Sequence, residues 1–350
     1  MGVFRFYRFV LLFLFGITFG IHAREAEEIR MRVMFWNVEN LFDCRDDSLK
    51  ADQEYLPDSP RRWTFHRYRQ KLINTAKVIV AAGEGEIPVL VGLCEVENDS
   101  VLEDLQRLTP LRQLGYRHFI TQSPDPRGIN VALLYKRDRF KPVSRKDHRV
   151  TLPDRYKPTR DILQVTGVLP GGDTLDLFLC HFPSRSGGEA ESRPARIAAS
   201  QKLTEVINTV NNLRTNPHIL ICGDMNDYPS TLCIPTSNKQ DTSVYNFVEN
   251  IVNNNLFNLM GDLEKSGGGT HKFNGKWGYL DQFIVNGRLL DKYEGPYVEK
   301  AAAFSAPFML TEDTKHLGKR PKRTYYGYKY EGGYSDHLPI ILDLVVKRSF

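Results

Sequence analysis

The feature that most constrains the fold is a series of short apolar segments, rich in β-branched residues and separated by polar loops and helical patterns. Strands are predicted at residues 31–36, 88–95, 129–136, 219–222, 279–286 and 339–346, with a hairpin within residues 161–182. Helices are predicted at residues 68–80, 98–108 and 192–213. Because helices alternate with strands and must cover both faces of the sheets, this order predicts a layered α/β fold.

The helix predictions depend on spacing and on end signals. Apolar residues recur at helical spacing in the first helix at Tyr68, Leu72, Ala76, Ile79 and Val80. Gly83 and Gly85 are expected to end this helix, and Asn98 is expected to cap the second.

No linker, internal repeat or low-complexity segment divides the chain, which predicts a single domain over residues 24–350. Three polar segments interrupt the regular pattern, at residues 43–62, 231–269 and 309–331. We expect substrate specificity to reside in these insertions. Within the last, residues 318–330 interleave basic residues with tyrosines, which suits either a nucleic acid contact or a solvated loop.

The first 23 residues have the order of a secretory signal peptide. Arg5 and Arg8 precede an apolar run at residues 9–21, and Ala23 follows it. The run is shorter than the roughly 20 apolar residues that span a bilayer. We therefore expect export to the periplasm, the cell surface or the medium, with an uncleaved anchor as the alternative.

Cysteine usage and charge exclude some classes of site. The five cysteines, at positions 44, 94, 180, 222 and 233, show no paired spacing. This predicts neither a disulfide framework nor a zinc site. The formal net charge of +5 is compatible with an anionic partner but does not require one.

Polar residues stand at or beside the ends of most predicted strands. They comprise four carboxylates, two carboxamides and two imidazoles: Glu95, Asp224, Asp281, Asp336, Asn37, Asn226, His181 and His337. Any one of them could be a turn or cap residue. Their joint occurrence at strand ends, where ligands of α/β sheets bind, predicts one functional site.

The residue types of this site suit phosphate chemistry. Carboxylate and amide oxygens prefer Mg²⁺ or Mn²⁺ to Zn²⁺. Such a cation neutralises phosphate oxygens, while a histidine exchanges protons near neutral pH. The set therefore predicts a metal-dependent phosphoester hydrolase that needs no serine or cysteine nucleophile.

Seven short motifs carry a family resemblance: WNVEN, CEVEN, INVALLY, CHFPSRSGG, GDMND, YLDQF and SDHLP. Their order resembles that of the endonuclease/exonuclease/phosphatase superfamily, which includes DNase I, over about residues 31–346. The resemblance implies a four-layer α/β sandwich, in which two mixed β-sheets pack face to face with helices outside.

The resemblance also implies roles for individual residues. Glu95 would be the main metal ligand, with Asn37 beside it and Asp336 contributing to the same site. The metal is expected to be Mg²⁺ or Mn²⁺, with Ca²⁺ left open.

The remaining motif residues are expected to act on water and phosphate. Asp224 would orient the attacking water, which the His337–Asp281 pair would activate. Asn226 and His181 would bind the phosphate.

Two arginines lie within or beside these motifs and join the set of candidate site residues. Arg127 precedes INVALLY and Arg185 lies in PSRSGG, where each is a candidate phosphate contact.

These expectations combine into an exported endonuclease acting on DNA or RNA. It is expected to be a monomer, with no stable protein partner and no membrane insertion after signal cleavage. A phospholipid or other small phosphodiesterase or phosphatase of the same superfamily is the alternative, although the chain lacks a convincing apolar membrane-contact loop. A catalytically inactive module that binds a phosphate ligand belongs to a different class.

Overall fold

The computed structural model describes residues 27–232, 256–293 and 295–348, and two six-stranded mixed sheets dominate it. The predicted signal peptide, Cys233 and most of the 231–269 insertion lie outside the described residues. The first sheet contains, with strands numbered along the chain, β1 (Glu27–Leu41), β2 (Leu90–Val96), β3 (Tyr116–Ile120), β4 (Asn130–Lys136), β13 (Tyr297–Ala303) and β18 (Ile340–Arg348). Its strand order is β13-β18-β1-β2-β4-β3, and only β1 and β2 pair in parallel.

The second sheet repeats this arrangement with one parallel pair, β7 and β8. It contains β5 (Lys141–His148), β6 (Ile162–Val168), β7 (Thr174–His181), β8 (His218–Asp224), β9 (Leu256–Asn258) and β12 (Asp281–Asn286), in the order β5-β6-β7-β8-β12-β9. Three small hairpins extend from the sheets: β10 (His271–Phe273) with β11 (Lys276–Gly278), β14 (Leu310–Glu312) with β15 (Lys319–Pro321), and β16 (Tyr325–Tyr326) with β17 (Lys329–Tyr330).

The α-helices of the described residues are α1 (Phe65–Ala82), α2 (Asp99–Arg107), α3 (Glu189–Leu213) and α4 (Gly261–Lys265). The side chain of Asn98 accepts a hydrogen bond from the amide of Val101 at 3.0 Å, which confirms the predicted cap of α2. Val80 of α1 was expected on the apolar face but is 42% exposed, whereas Ile79 beside it is buried, so Val80 lies at the edge of that face. In the described parts of the chain, no helix is both long and apolar enough to span a membrane.

Three apolar clusters build the layers. One fills the space between the sheets, where Phe35 and Leu90 of the first sheet meet Leu179 and Phe283 of the second. Another joins the outer face of the first sheet to α1 and α2, and a third joins the second sheet to α3. Each large apolar side chain buried here contributes roughly 1.5–3 kcal/mol. The order of layers is helix, sheet, sheet, helix, which confirms the predicted four-layer sandwich.

Several predicted boundaries move in the structure. The strand expected at residues 31–36 extends over Glu27–Leu41, so Asn37 lies within β1 rather than after it. Helix α3 begins at Glu189 instead of residue 192 and contains Pro194 near its start. Strand β5 was not predicted, since most of its residues are exposed and polar and carry no alternating pattern.

Candidate active site

Three neighbouring strands of the second sheet place one polar residue each in a single row. His181 of β7 pairs in register with Asp224 of β8, and Asp224 pairs with Asp281 of β12. Since residues paired in register project to the same face of a sheet, the three side chains lie side by side. All three residues are buried.

The first sheet supplies Asn37 and Glu95 to the same place. The carboxamide nitrogen of Asn37 donates to Oδ2 of Asp224 at 3.0 Å, which joins the two sheets directly. Glu95 lies at an irregularity between β2 and β4 with a φ of 63°, a backbone conformation unusual for glutamate. Its Oε2 accepts a hydrogen bond from the amide of Asn40 at 3.0 Å, and its Oε1 lies 3.8 Å from Nε2 of His181.

His337 reaches the row from the loop before β18. Its Nδ1 donates to Oδ2 of Asp281 at 2.7 Å, and its Nε2 lies 3.8 Å from Oδ2 of Asp224. Two buried contacts hold the main chain of His337: its amide donates to Oγ of Ser335 at 3.0 Å, and its carbonyl accepts from the indole of Trp36 at 2.9 Å. These contacts fix the orientation of the imidazole and keep its Nδ1–H directed at Asp281.

Burial and neighbouring charges shift the pKa values of these groups in different directions. Burial raises the pKa of Asp224 to about 7. Burial lowers the pKa of His337, but the carboxylates of Asp281 and Asp224 outweigh it and hold that pKa well above the usual value. For His181, burial and the nearby Arg160 and Arg127 lower the pKa well below the usual value. The two imidazoles are thus distinct, one favouring the cation and one the neutral form.

Asn226 follows Asp224 in a tight turn and has a φ of 49°. Its amide donates to Oδ1 of Asp224 at 2.9 Å, and its side-chain nitrogen donates to the carbonyl of Phe182 at 3.0 Å. A carboxamide nitrogen carries two hydrogens, so one donor remains for a ligand.

Both predicted arginines line the same cleft, which has a volume of about 680 Å³. Arg127 lies 3.4 Å from Asp125, and Arg185 lies 2.8 Å from Asp227 with its guanidinium stacked over Tyr228. These contacts hold the two cations beside the carboxylates of the site.

Asp336 lines the same cleft as Glu95 and pairs there with Arg323. Its Oδ2 lies 2.9 Å from Nη2 of Arg323, and potential ligand atoms of His271 and His337 lie within 4.8 Å of its carboxylate. Although burial raises the pKa of Asp336, the Arg323 guanidinium lowers it below its usual range. Among the described residues, no cluster of potential ligands combines Asp336 with Glu95. The metal-binding role of Asp336 stays a prediction.

Sequence reasoning missed several residues that line the cleft, among them His271 and Arg323. The rings of His271 and His337 lie 4.8 Å apart, and the two residues form a β-bridge. Arg323 also pairs with Glu39 at 2.8 Å. His271 belongs to a strand of only three residues and Arg323 lies in a loop, so neither follows a recognisable apolar strand.

The residues present fit a divalent cation that prefers oxygen ligands. Oε1 of Glu95 accepts no hydrogen bond within the described structure, while the neighbouring Asp224 and Asn37 add oxygen atoms to the same cleft. Cys94 lies close to Asp224 and His181, but burial raises the pKa of its thiol well above the usual value. Carboxylate and carboxamide oxygens, rather than a buried thiol, are the ligands that a hard cation such as Mg²⁺ prefers.

Fold and site together define a class: an α/β sandwich with a carboxylate and imidazole cleft at its strand ends is suited to metal-assisted phosphoester hydrolysis. Residues 32–346 match the family model described as "Endonuclease/Exonuclease/phosphatase family". The chain belongs to this family and is a hydrolase of phosphoester bonds. A search of curated protein sequences found no match.

Solved structures share the fold at low sequence identity. An endonuclease/exonuclease/phosphatase family protein from Bacteroides thetaiotaomicron aligns with a TM-score of 0.58 and 15% identity, over 91% of this chain and 99% of that one. A mannosyl-6-phosphatase from the same organism aligns with a TM-score of 0.52 and 15% identity, over 90% and 99% of the two chains. TDP2 from D. rerio, in complex with a single-strand DNA product, aligns with a TM-score of 0.51 and 13% identity, over 90% and 98%.

Proposed function

We propose that the protein is an exported, metal-dependent endonuclease that hydrolyses phosphodiester bonds of DNA or RNA. The observation that carries the proposal is the position of Asp224, whose Oδ2 lies 3.7 Å from Nε2 of His181 and 3.8 Å from Nε2 of His337. One carboxylate oxygen between two imidazoles, at the base of an open cleft, can direct a water molecule at a bound phosphate.

The chemical step consumes one water for each bond broken. The water oxygen bonds to phosphorus as the ester oxygen leaves, the water proton passes to the carboxylate of Asp224, and the leaving oxygen takes up a proton from Nε2 of His337. Asp224 orients the water. Asp281 holds the proton of His337 on Nδ1, which leaves Nε2 to exchange a proton at the reacting centre.

Other side chains bind the phosphate. Asn226 would use its remaining N–H, His181 would act as a neutral hydrogen-bonding group, and Arg127 and Arg185 would supply positive charge at the cleft wall. Glu95 and Asn37, with Asp336 as a further candidate, would hold Mg²⁺ or Mn²⁺. When bound, the cation would neutralise charge on the phosphate oxygens.

Nucleic acid is proposed as the substrate because the cleft is open and bordered by Arg127, Arg185 and Arg323. The neighbour of known structure that carries a single-strand DNA product supports this choice. The mannosyl-6-phosphatase neighbour favours a second candidate, a phosphatase or phosphodiesterase of small substrates. Export and a monomeric state are proposed from the sequence alone, from the signal-like first 23 residues and the absence of an implied partner.

The test is hydrolysis by the purified protein with Mg²⁺ or with EDTA, on plasmid DNA, RNA, sphingomyelin and bis-p-nitrophenyl phosphate. We expect metal-dependent nicking of nucleic acid that His337→Ala abolishes. Turnover of lipid or the small diester with nucleic acid untouched would retain the mechanism and exclude the endonuclease. If none of the four substrates is hydrolysed and Glu95→Gln binds its ligand normally, the catalytically inactive binding module would be favoured.

A further inference from the structure

A second cavity borders the cleft on the side of the small hairpins. It has a volume of about 490 Å³ and shares Phe273, Arg323 and Asp336 with the cleft. It lies between the β10–β11 hairpin and residues 313–327. Neither the family match nor the motifs of the sequence assign it a ligand.

The hairpin that forms one wall is held firmly. Nζ of Lys272 lies 2.9 Å from Oδ2 of Asp313, with these side chains only 2% and 6% exposed, and it also donates to the carbonyl of Leu317 at 2.9 Å. At the other end of β10, His271 forms the β-bridge to His337. The hairpin is therefore anchored both to the main chain of His337 and to the far wall of the second cavity.

Phe273 stands on the border of the two cavities. The residue is 64% exposed although it belongs to this anchored hairpin. An aromatic ring that an anchored backbone presents to solvent can stack on a nucleobase, because every base offers such a face.

The charges of the cavity leave one cation without a carboxylate partner. Three other cations are paired at 2.6–2.9 Å, as Lys272–Asp313, Arg320–Glu331 and Arg323–Asp336. Lys315 has no ion pair with any described residue, and its Nζ lies 5.3 Å from the ring centre of Tyr326. An unneutralised cation at this wall attracts an anionic group.

We propose that the second cavity binds the nucleotide next to the scissile phosphate of a single-stranded nucleic acid. Its base stacks on Phe273 and its phosphate lies near Lys315. A single strand is required because only an unpaired base can turn its face to the ring. This inference rests on the proposed function and extends it to a strand preference.

Direct binding tests the subsite independently of turnover. The purified protein, in EDTA, is titrated into fluorescein-labelled single-stranded DNA and into the same sequence as a duplex. We expect tighter binding of the single strand, and about tenfold weaker binding by Phe273→Ala. Lys315→Ala should weaken binding and reduce its salt dependence. Phe65→Ala and Lys300→Ala, at surface positions outside both cavities, are the matched controls.

A spectroscopic signature separates stacking from a general structural effect. An oligonucleotide with 2-aminopurine at successive positions should lose fluorescence at one position on binding. Phe273→Ala should abolish that quenching, and Phe273→Trp should restore it.

The outcomes distinguish this inference from the proposed function. Nuclease activity with binding and quenching unaffected by Phe273→Ala and Lys315→Ala would overturn the subsite alone. Binding that depends on Phe273, without any hydrolysis, would support the subsite and contradict the endonuclease. No binding of single strands, or equal binding of the duplex, would overturn the inference.

Discussion

Nδ1 of His337 lies 2.7 Å from Oδ2 of Asp281, and both side chains are buried at the base of the cleft. Asp281 lies on β12, whereas His337 lies in the loop before β18, so the pair joins the second sheet to the chain entering the first. The contact fixes which imidazole nitrogen faces the substrate.

We expect Asp281→Asn to lower kcat/KM on bis-p-nitrophenyl phosphate by roughly 10²–10⁴, because a carboxamide no longer enforces the Nδ1–H tautomer. His337→Ala should lower it at least as much. Steady-state kinetics measure both, with Asp262→Asn at an exposed position as the control. Wild-type activity in Asp281→Asn would exclude the assigned role.

Glu95→Gln should abolish metal binding while preserving the fold, since an amide oxygen replaces the charged ligand. Calorimetric titration with Mg²⁺ or Mn²⁺ and the metal-induced shift in Tm measure the loss. Glu97→Gln is the matched control: Glu97 is buried nearby and accepts a hydrogen bond from the amide of Asp43 at 2.7 Å. Equal metal responses in both variants would contradict the assignment to Glu95.

Lys71 gives the stability a pH dependence. Burial lowers the pKa of Lys71 to about 8, below its unfolded value of about 10.4. Between these values the unfolded chain binds more protons, so the free energy of unfolding gains up to roughly 3 kcal/mol from this group as the pH rises.

Denaturant unfolding of wild type and Lys71→Met from about pH 5.5 to 10.5 measures this gain. The difference in unfolding free energy, wild type minus variant, should be constant below about pH 7 and increase above pH 8. Lys77→Met, on the exposed face of the same helix, should show no such trend relative to wild type. A difference that declines with pH would contradict the prediction.

Gly92 of β2 lies in the tightly packed space between the two sheets. A Cβ at this position would lie 2.5 Å from Cδ2 of Leu179 and 2.8 Å from Cδ2 of Phe35. We expect Gly92→Ala to reduce the free energy of unfolding by roughly 1–3 kcal/mol through overpacking. Thermal and denaturant unfolding measure it. Gly261→Ala, where a Cβ meets nothing within 4 Å, is the control, and equal stability of the two variants would refute the close packing.

Arg323 connects the last polar insertion to the site. Its Nε lies 2.8 Å from Glu39 and its Nη2 lies 2.9 Å from Asp336. Arg323→Met should lower stability by about 1–3 kcal/mol, because it leaves the buried Glu39 carboxylate with fewer hydrogen bonds. In a double-mutant cycle, Glu39→Gln should recover part of this loss. Additive effects of the two substitutions would contradict the coupling.

The apolar strands, the layered fold and the family were all predictable from the sequence. A local run of apolar residues such as Ile219 and Leu220 is enough to predict a buried strand. The order of the seven motifs is enough to indicate the family. The cap of α2 at Asn98 was predictable for the same reason, because capping is decided within a few residues. Val80 was placed wrongly, since spacing alone does not define which edge of a helix face is covered.

The tertiary structure alone decided which of the motif residues touch and how they ionise. Asp281 and His337 are 56 positions apart, and Asn37 and Asp224 are 187 apart, so their contacts depend on strand register and on the packing of two sheets. Strand register and sheet packing also bury Asp224, and this burial raises the pKa of its carboxyl group. Long-range packing also places His271 and Arg323 at the cleft, although no motif in the sequence around either residue predicts this position. Local composition thus determined the type of chemistry, and long-range packing determined its geometry.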